Sequence, residues 1–131
     1  MDIIAQISKY LTDNASLNGL PVVSPLLNDG SSIAIRESPS SIANRYMNSG
    51  KTFNFQFQIL VKDPSVINTR KIINDIFKKL DGLSNGAITS ADGSFSFTKC
   101  ECTTSPNFVE KTEQNYYIYT ALFNAELEIG R

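Results

Sequence analysis

A regular alternation of apolar and polar side chains over residues 53–62 constrains the fold of this chain more than any other feature. The sequence there is FNFQFQILVK, and one side of an extended strand would carry Phe53, Phe55, Phe57, Ile59 and Val61. The opposite side, here called the second face, would carry Asn54, Gln56, Gln58 and Lys62, interrupted by Leu60. Burying each of the large apolar side chains contributes about 1.5–3 kcal/mol, so a slip of one residue would cost more than a domain's typical net stability. The pattern predicts a half-buried strand with a fixed register.

Two other segments have the periodicity of amphipathic helices. Near the N-terminus, Asp2 suits an N-cap, and one apolar stripe contains Ile3, Ile4, Ile7, Tyr10 and Leu11. The second helix is predicted to begin at Asp63-Pro64, which suits an N-cap followed by the first turn. It runs to about Leu80, and Gly82 lies where a left-handed residue ends a helix.

The remaining segments predict strands and connections. Residues 31–37 form a short strand, and an Ala-Asp-Gly turn at 91–93 joins the two arms of a hairpin. In that hairpin Phe95 and Phe97 would share one face and Cys100 and Cys102 the other. Residues 106–114 predict a charged connection, and residues 115–129 predict a long terminal strand that is buried on one side.

These elements predict a single α+β domain over residues 1–131, with a mostly antiparallel sheet of about four to five strands and two helices packed on one face. A length of 131 residues suits one domain of ordinary size. The segment at about 38–50 is rich in serine and asparagine and predicts a mobile loop. Long loops on compact domains are usually functional or merely mobile, and the pattern leaves both alternatives open.

The charge balance argues against several classes of partner. Twelve basic and thirteen acidic residues give a formal net charge of −1, so no overall field attracts nucleic acid or anionic lipid. No apolar run approaches the ~18 residues of a membrane-spanning helix, and the N-terminus lacks the features of a signal peptide. We therefore expect an intracellular protein without membrane association and without recognition of nucleic-acid sequence.

The residues that usually carry catalysis or bind metals are scarce. The chain has no histidine and only two cysteines, at positions 100 and 102, which is too few ligands for a zinc site. Glu126 and Glu128 lie on one strand face without an obvious acid partner, and the glycines form no phosphate-binding loop. The sequence therefore predicts a protein that is not an enzyme and has no metal and no cofactor.

Two segments carry a resemblance to a known family. GKTFNFQFQILVKDPSVINTRKIINDIFKKLDGL combines a strand of alternating aromatics and glutamines with a capped helix that ends in Leu-Asp-Gly. The second segment has a Pro-x-x-Val motif before an aromatic terminal strand, in the sequence SPNFVEKTEQNYYIYTALFNAELEI. Together these segments resemble minor capsid proteins of tailed bacteriophages, a group similar to the tail terminator family.

The resemblance implies a noncatalytic ring protein. Members of that family are small α+β proteins that form a ring, commonly of six subunits, at the head-proximal end of the tail tube. The implied partners are other copies of the chain, the tail tube protein and the head completion protein. The implied location is the virion, after synthesis in the cytoplasm of the bacterial host.

In that setting the second face becomes a candidate interface with a neighbouring subunit or with the tube. The residues predicted to form it are Asn54, Gln56, Gln58, Tyr116, Ile118 and Leu122. Uncharged polar groups mixed with aromatics suit an interface built from soluble monomers, because burying them costs less than burying ion pairs. A plainly solvated sheet face is the alternative.

The segment 38–50 is the second candidate contact, with Arg45, Tyr46 and Met47 as its anchors. An alternative function from another class is a small intracellular protein-binding domain that recognises a partner through its sheet face or edge.

Overall fold

Six strands and two α-helices make up the regular structure of the computed structural model, which describes residues 3–15, 17, 19–24, 26–27, 30–38, 41–45, 51–90, 93 and 95–129. In chain order they are α1 (Ile3–Asn14), β1 (Val22–Val23), β2 (Ser32–Glu37), β3 (Ser41–Arg45), β4 (Lys51–Asp63), α2 (Val66–Leu80), β5 (Ser96–Lys111) and β6 (Tyr117–Ile129). Within these residues, neither helix has the length and apolar character required to cross a bilayer.

The strands form one sheet in the order β1-β2-β4-β6-β5, with β3 also paired to β4. The short β1–β2 pair is parallel, and the other pairs are antiparallel. The two long strands β4 and β6 lie at the centre and pair in continuous register from Lys51–Ile129 to Asp63–Tyr117. This confirms the predicted α+β fold with a mostly antiparallel sheet.

Both helices pack on the same side of the sheet, which we call the inner face. The alternation in β4 explains this arrangement, because Phe55, Phe57, Ile59 and Val61 are all buried on that side. They pack in one hydrophobic cluster with buried residues of α1 (Ile3, Ile7, Leu11) and of α2 (Ile72, Ile73, Ile76, Leu80). The sheet therefore has one face committed to the core and a second face that no helix of the described chain covers.

Helix α2 begins later than the sequence predicts. The N-cap is Ser65, whose Oγ accepts a hydrogen bond from the Asn68 backbone N–H at 3.2 Å. Asp63 is instead the last residue of β4, and its Oδ2 accepts a hydrogen bond from the Ser65 N–H at 3.0 Å. The end of the helix is as predicted, with Leu80 as its last residue and Gly82 at a φ of 79°.

The predicted hairpin and the predicted connection after it are both replaced by a single long strand. Within the described residues, the first arm of the hairpin contributes one isolated bridge, from Thr89 to Ser96, and Leu83, which precedes that arm, forms another with Cys100. Strand β5 then continues through Pro106 to Lys111, and it pairs with β6 along its length. Its register shifts several times, including between Thr104 and Asn107, and such bulges accommodate a proline in an edge strand.

One of these bulges also corrects the predicted orientation of the cysteines. The register shifts between Phe97 and Lys99, so the alternation of side chains reverses there. Phe97, Cys100 and Cys102 consequently pair with Leu127, Ala125 and Phe123, which are buried on the inner face. The cysteines therefore share the face of Phe97 instead of opposing it.

The segment predicted as a loop at 38–50 contains β3, which the sequence did not predict. Its backbone pairs with the start of β4, from Ser41 opposite Asn54 to Arg45 opposite Lys51. Residues 39, 40 and 46–50 lie outside the described residues. The mobility of this segment stays a prediction.

Candidate interaction surface

The second face brings together the six residues that the sequence assigned to an interface. Asn54, Gln56 and Gln58 of β4 stand opposite Glu126, Asn124 and Leu122 of β6, and Lys62 stands opposite Ile118. Gln56 is exposed, whereas Ile118 is buried with 7% of its surface accessible. Tyr116 precedes β6, and the Lys62 Nζ lies 4.9 Å from the centre of its ring.

A hydrogen-bonded network crosses the middle of this face. The Arg36 Nε of β2 donates to the Gln58 Oε1 at 2.7 Å, and the Gln58 Nε2 donates to the Thr120 Oγ1 at 2.9 Å. Thr120 is 7% exposed, and its hydroxyl donates to the Ile59 carbonyl oxygen at 2.9 Å. The network spans β2, β4 and β6, so it holds Gln58 in a defined orientation.

An apolar groove of about 450 Å³ occupies one end of the second face. It is lined by Leu26, Leu27, Leu60, Val109 and Ile118, with Arg36 and Glu110 among its polar residues. Leu26 and Val109 are 71% and 45% exposed, which is unusual for large aliphatic side chains. Exposed apolar side chains gathered around a concave surface are typical of protein-protein contacts.

The opposite end of the second face is acidic. Glu126 and Glu128 of β6 and Glu101 of β5 lie there, and Lys99 is paired with Glu101 at 3.2 Å. Between the two ends, the Asn124 Oδ1 is buried, and no described residue forms a hydrogen bond with it.

The candidate contact in segment 38–50 is defined less fully. Arg45 is the last residue of β3, and its backbone pairs with that of Lys51. Tyr46 and Met47 lie outside the described residues. The assignment of these three residues as anchors therefore stays a prediction.

The two thiols are poorly suited to act as nucleophiles. Burial raises the pKa of Cys100 from 9.0 to about 12, and the Asp81 carboxylate adds to this shift. Burial and Asp81 also raise the pKa of Cys102, whose Sγ donates to the Thr104 carbonyl oxygen at 3.2 Å. Among the described residues, no group of three or more His, Cys, Asp or Glu side chains could hold a metal ion.

Several residues of this surface escaped the sequence interpretation. Arg36 and Thr120 belong to separate strands, and only the pairing of β2, β4 and β6 places them beside Gln58. Val109 was assigned to a connection, although it lies in β5, at the register shift between Phe108 and Glu110, and lines the groove. The adjacent pair Leu26 and Leu27 in a predicted connection was the available signal, because apolar residues that lie together mark interaction sites more often than single ones.

The network makes a prediction about stability. We expect Thr120→Val to lower the free energy of unfolding by about 1–3 kcal/mol, because the Ile59 carbonyl and the Gln58 amide lose their common partner while the volume of the side chain is kept. Urea denaturation followed by circular dichroism measures this difference. The matched control is Thr104→Val on the same face, where the side chain is exposed and the loss should stay below about 0.5 kcal/mol. Equal effects of the two substitutions would contradict the importance of the network.

Comparison with known proteins identifies the family. Residues 26–129 match the family model described as bacteriophage tail terminator protein. A chain from a structure titled as the virion of a native gene transfer agent particle has the same fold, with a TM-score of 0.65 and 16% sequence identity. The match covers 95% of this chain and 92% of that chain. No curated protein matches the sequence. The chain therefore belongs to the bacteriophage tail terminator protein family and is a structural protein of the phage tail, associated with the virion.

Proposed function

We propose that this protein is a noncatalytic ring component at the head-tail junction, with six subunits closing the head-proximal end of the tail tube. The family match carries this proposal. Its partners in the ring are other copies of the chain, and above and below the ring they are the head completion protein and the tail tube protein. Synthesis takes place in the cytoplasm of the bacterial host, and the assembled location is the virion.

The second face supports a role in binding. Its middle carries amide and hydroxyl groups that already form a preorganised network, and one end carries an apolar groove. A preorganised surface loses little side-chain entropy on association, so such a face favours assembly from folded monomers. We assign Asn54, Gln56, Gln58, Tyr116, Ile118 and Leu122 to this contact, and Arg45, Tyr46 and Met47 to a second one.

Native mass spectrometry of the purified chain over a concentration series tests the proposal, with the cognate tail tube protein absent or present. We expect a closed species of six subunits, visible as rings by negative-stain microscopy, either alone or when the tube supplies a template. Loss of the rings in a folded Leu122→Asp variant would indicate that the second face takes part in the contact that forms them. A protein that stays monomeric both alone and with the tube would overturn the proposal.

A further inference from the structure

The outward side of α2 carries a row of exposed residues that the core does not use. Ile67, Lys71, Asn74 and Lys78 follow one another at helical spacing and are all exposed, and we call this row the outer stripe. Ile67 is 60% exposed, although it is a large aliphatic side chain in the first turn of a well-packed helix. The buried residues of the same helix, including Ile73 and Ile76, point to the inner face.

The two ends of the outer stripe match the two ends of the second face in chemical character. The stripe begins with an apolar residue, Ile67, continues through Lys71 and the amide of Asn74, and ends with the ammonium of Lys78, so the match concerns its two ends. The second face runs from the apolar groove, through the amides of Gln58 and Asn124, to the acidic end. An apolar side chain would thus meet an apolar groove, and a cation would meet carboxylates.

We propose that the outer stripe of α2 in one subunit docks along the second face of the next subunit. The proposal rests on the ring proposed above, and it names the contact that closes that ring. A ring needs a heterologous interface, in which two different surfaces of the same chain meet around a rotation axis. These two surfaces satisfy that condition because they lie on opposite sides of the protein, separated by the core.

The dimensions of the two surfaces are compatible. From Ile67 to Lys78 the helix rises about 16 Å at 1.5 Å per residue. The groove extends to Leu60, which stands opposite Thr120 of β6. From Thr120 the strand advances about 14 Å to Asn124 and about 20 Å to Glu126, so with Ile67 over Leu60 the backbone of Lys78 lies between these two levels and its side chain spans the gap between the surfaces.

Charge explains why this orientation is preferred over its reverse. On the exposed side of α2, Lys71, Lys78 and Lys79 outnumber Asp75. At the acidic end of the described second face, Glu101, Glu126 and Glu128 outnumber Lys99. The reverse orientation would bring Ile67 to the carboxylates and Lys78 to a mostly apolar groove that contains Arg36 as well as Glu110.

A charge exchange tests the contact. Lys78→Glu and Glu126→Lys should each lower the association constant of the subunits about tenfold or more, because each places like charges opposite one another. Combining the two substitutions should restore most of the loss, since the ion pair forms again with its polarity reversed. Native mass spectrometry and sedimentation velocity at low and high salt measure the fraction of rings, with the tail tube protein added if the wild type needs it.

Matched substitutions outside the contact serve as controls. Lys9→Glu lies on the exposed side of α1, and Glu113→Lys lies in the turn before β6, so both should leave the fraction of rings unchanged. The thermal unfolding of every variant separates a loss of assembly from a loss of folding. Restoration in the double variant cannot result from misfolding, so it supports the contact directly.

The failures of the two proposals are distinguishable. If the wild type forms no ring, alone or with the tube, the proposed function fails and this contact fails with it. If the wild type forms a ring that neither reversal weakens, or if the double variant is no better than the two single variants together, the docking of α2 on the second face is overturned while the ring remains.

Discussion

We expect Phe57→Ala to lower the free energy of unfolding by about 3–5 kcal/mol, a large part of the net stability of a domain of this size. Phe57 is fully buried at the centre of β4, and its ring stacks on Phe123 with a centroid distance of 5.5 Å and on Phe55 at 5.7 Å. Removing it leaves a cavity between the two central strands and α2, and a well-packed core cannot close such a cavity completely. Denaturation by guanidinium chloride, with the slope checked for two-state behaviour, measures the loss.

Phe108→Ala is the matched control, because the same side chain is removed from the exposed part of β5. Phe108 is 51% exposed and contacts the ring of Tyr119 edge-on at 5.5 Å. Its loss should cost about 1 kcal/mol or less. A small effect of Phe57→Ala, similar to that of the control, would contradict the position of β4 in the core.

The second large effect concerns alkaline pH and the buried thiol of Cys100. Its pKa is about 12 in the folded protein and 9.0 in the unfolded chain, because burial and the Asp81 carboxylate disfavour the thiolate. Above pH 9 the unfolded chain releases this proton while the folded protein retains it, so the unfolded state is stabilised. The contribution of Cys100 is fully present below pH 9 and is lost as the pH rises toward 12.

Between pH 8 and pH 10.5 we expect Cys100 to account for a loss of about 2 kcal/mol in the free energy of unfolding. The measurement compares wild type with Cys100→Ala at both pH values, so that the titration of tyrosines and lysines cancels. Cys102→Ala is the control, and it should change the pH dependence less because Cys102 is only partly buried. If the pH dependence of Cys100→Ala equals that of the wild type, the folded protein does not hold the thiol of Cys100 in its neutral form.

Much of the fold was predictable because its signals are local. The alternation from Phe53 to Val61 is set by the two-residue repeat of a strand, and the stripe containing Ile73 and Ile76 is set by the repeat of a helix. Both patterns require only neighbouring residues, and both appear in the structure as β4 and α2. The second face follows from the first pattern, since the residues that do not enter the core must lie on the other side.

The path of β5 was not predictable from local pattern. Residues 106–114 begin with a proline and are mostly charged or polar, so they resemble a connection, yet the long edge of β6 provides hydrogen-bond partners for the backbone as far as Lys111. The bulge near Lys99 likewise has no separate signal in the sequence, and it moves both cysteines to the inner face. Pairing between strands decides such features, because backbone N–H and C=O groups form hydrogen bonds with a neighbouring strand whatever the residue type.

By itself, the sequence determined the central strands, the helices, the face that enters the core and the family resemblance, since each depends on periodicity or on a contiguous motif. Only the tertiary structure decided the partners of Gln58, which lie on β2 and β6, and the meeting of Leu27 with Val109 around one groove. It also placed the cationic end of α2 and the carboxylates near Glu126 on opposite sides of the core. These relations join residues far apart in the chain, and long-range packing and strand register fix them.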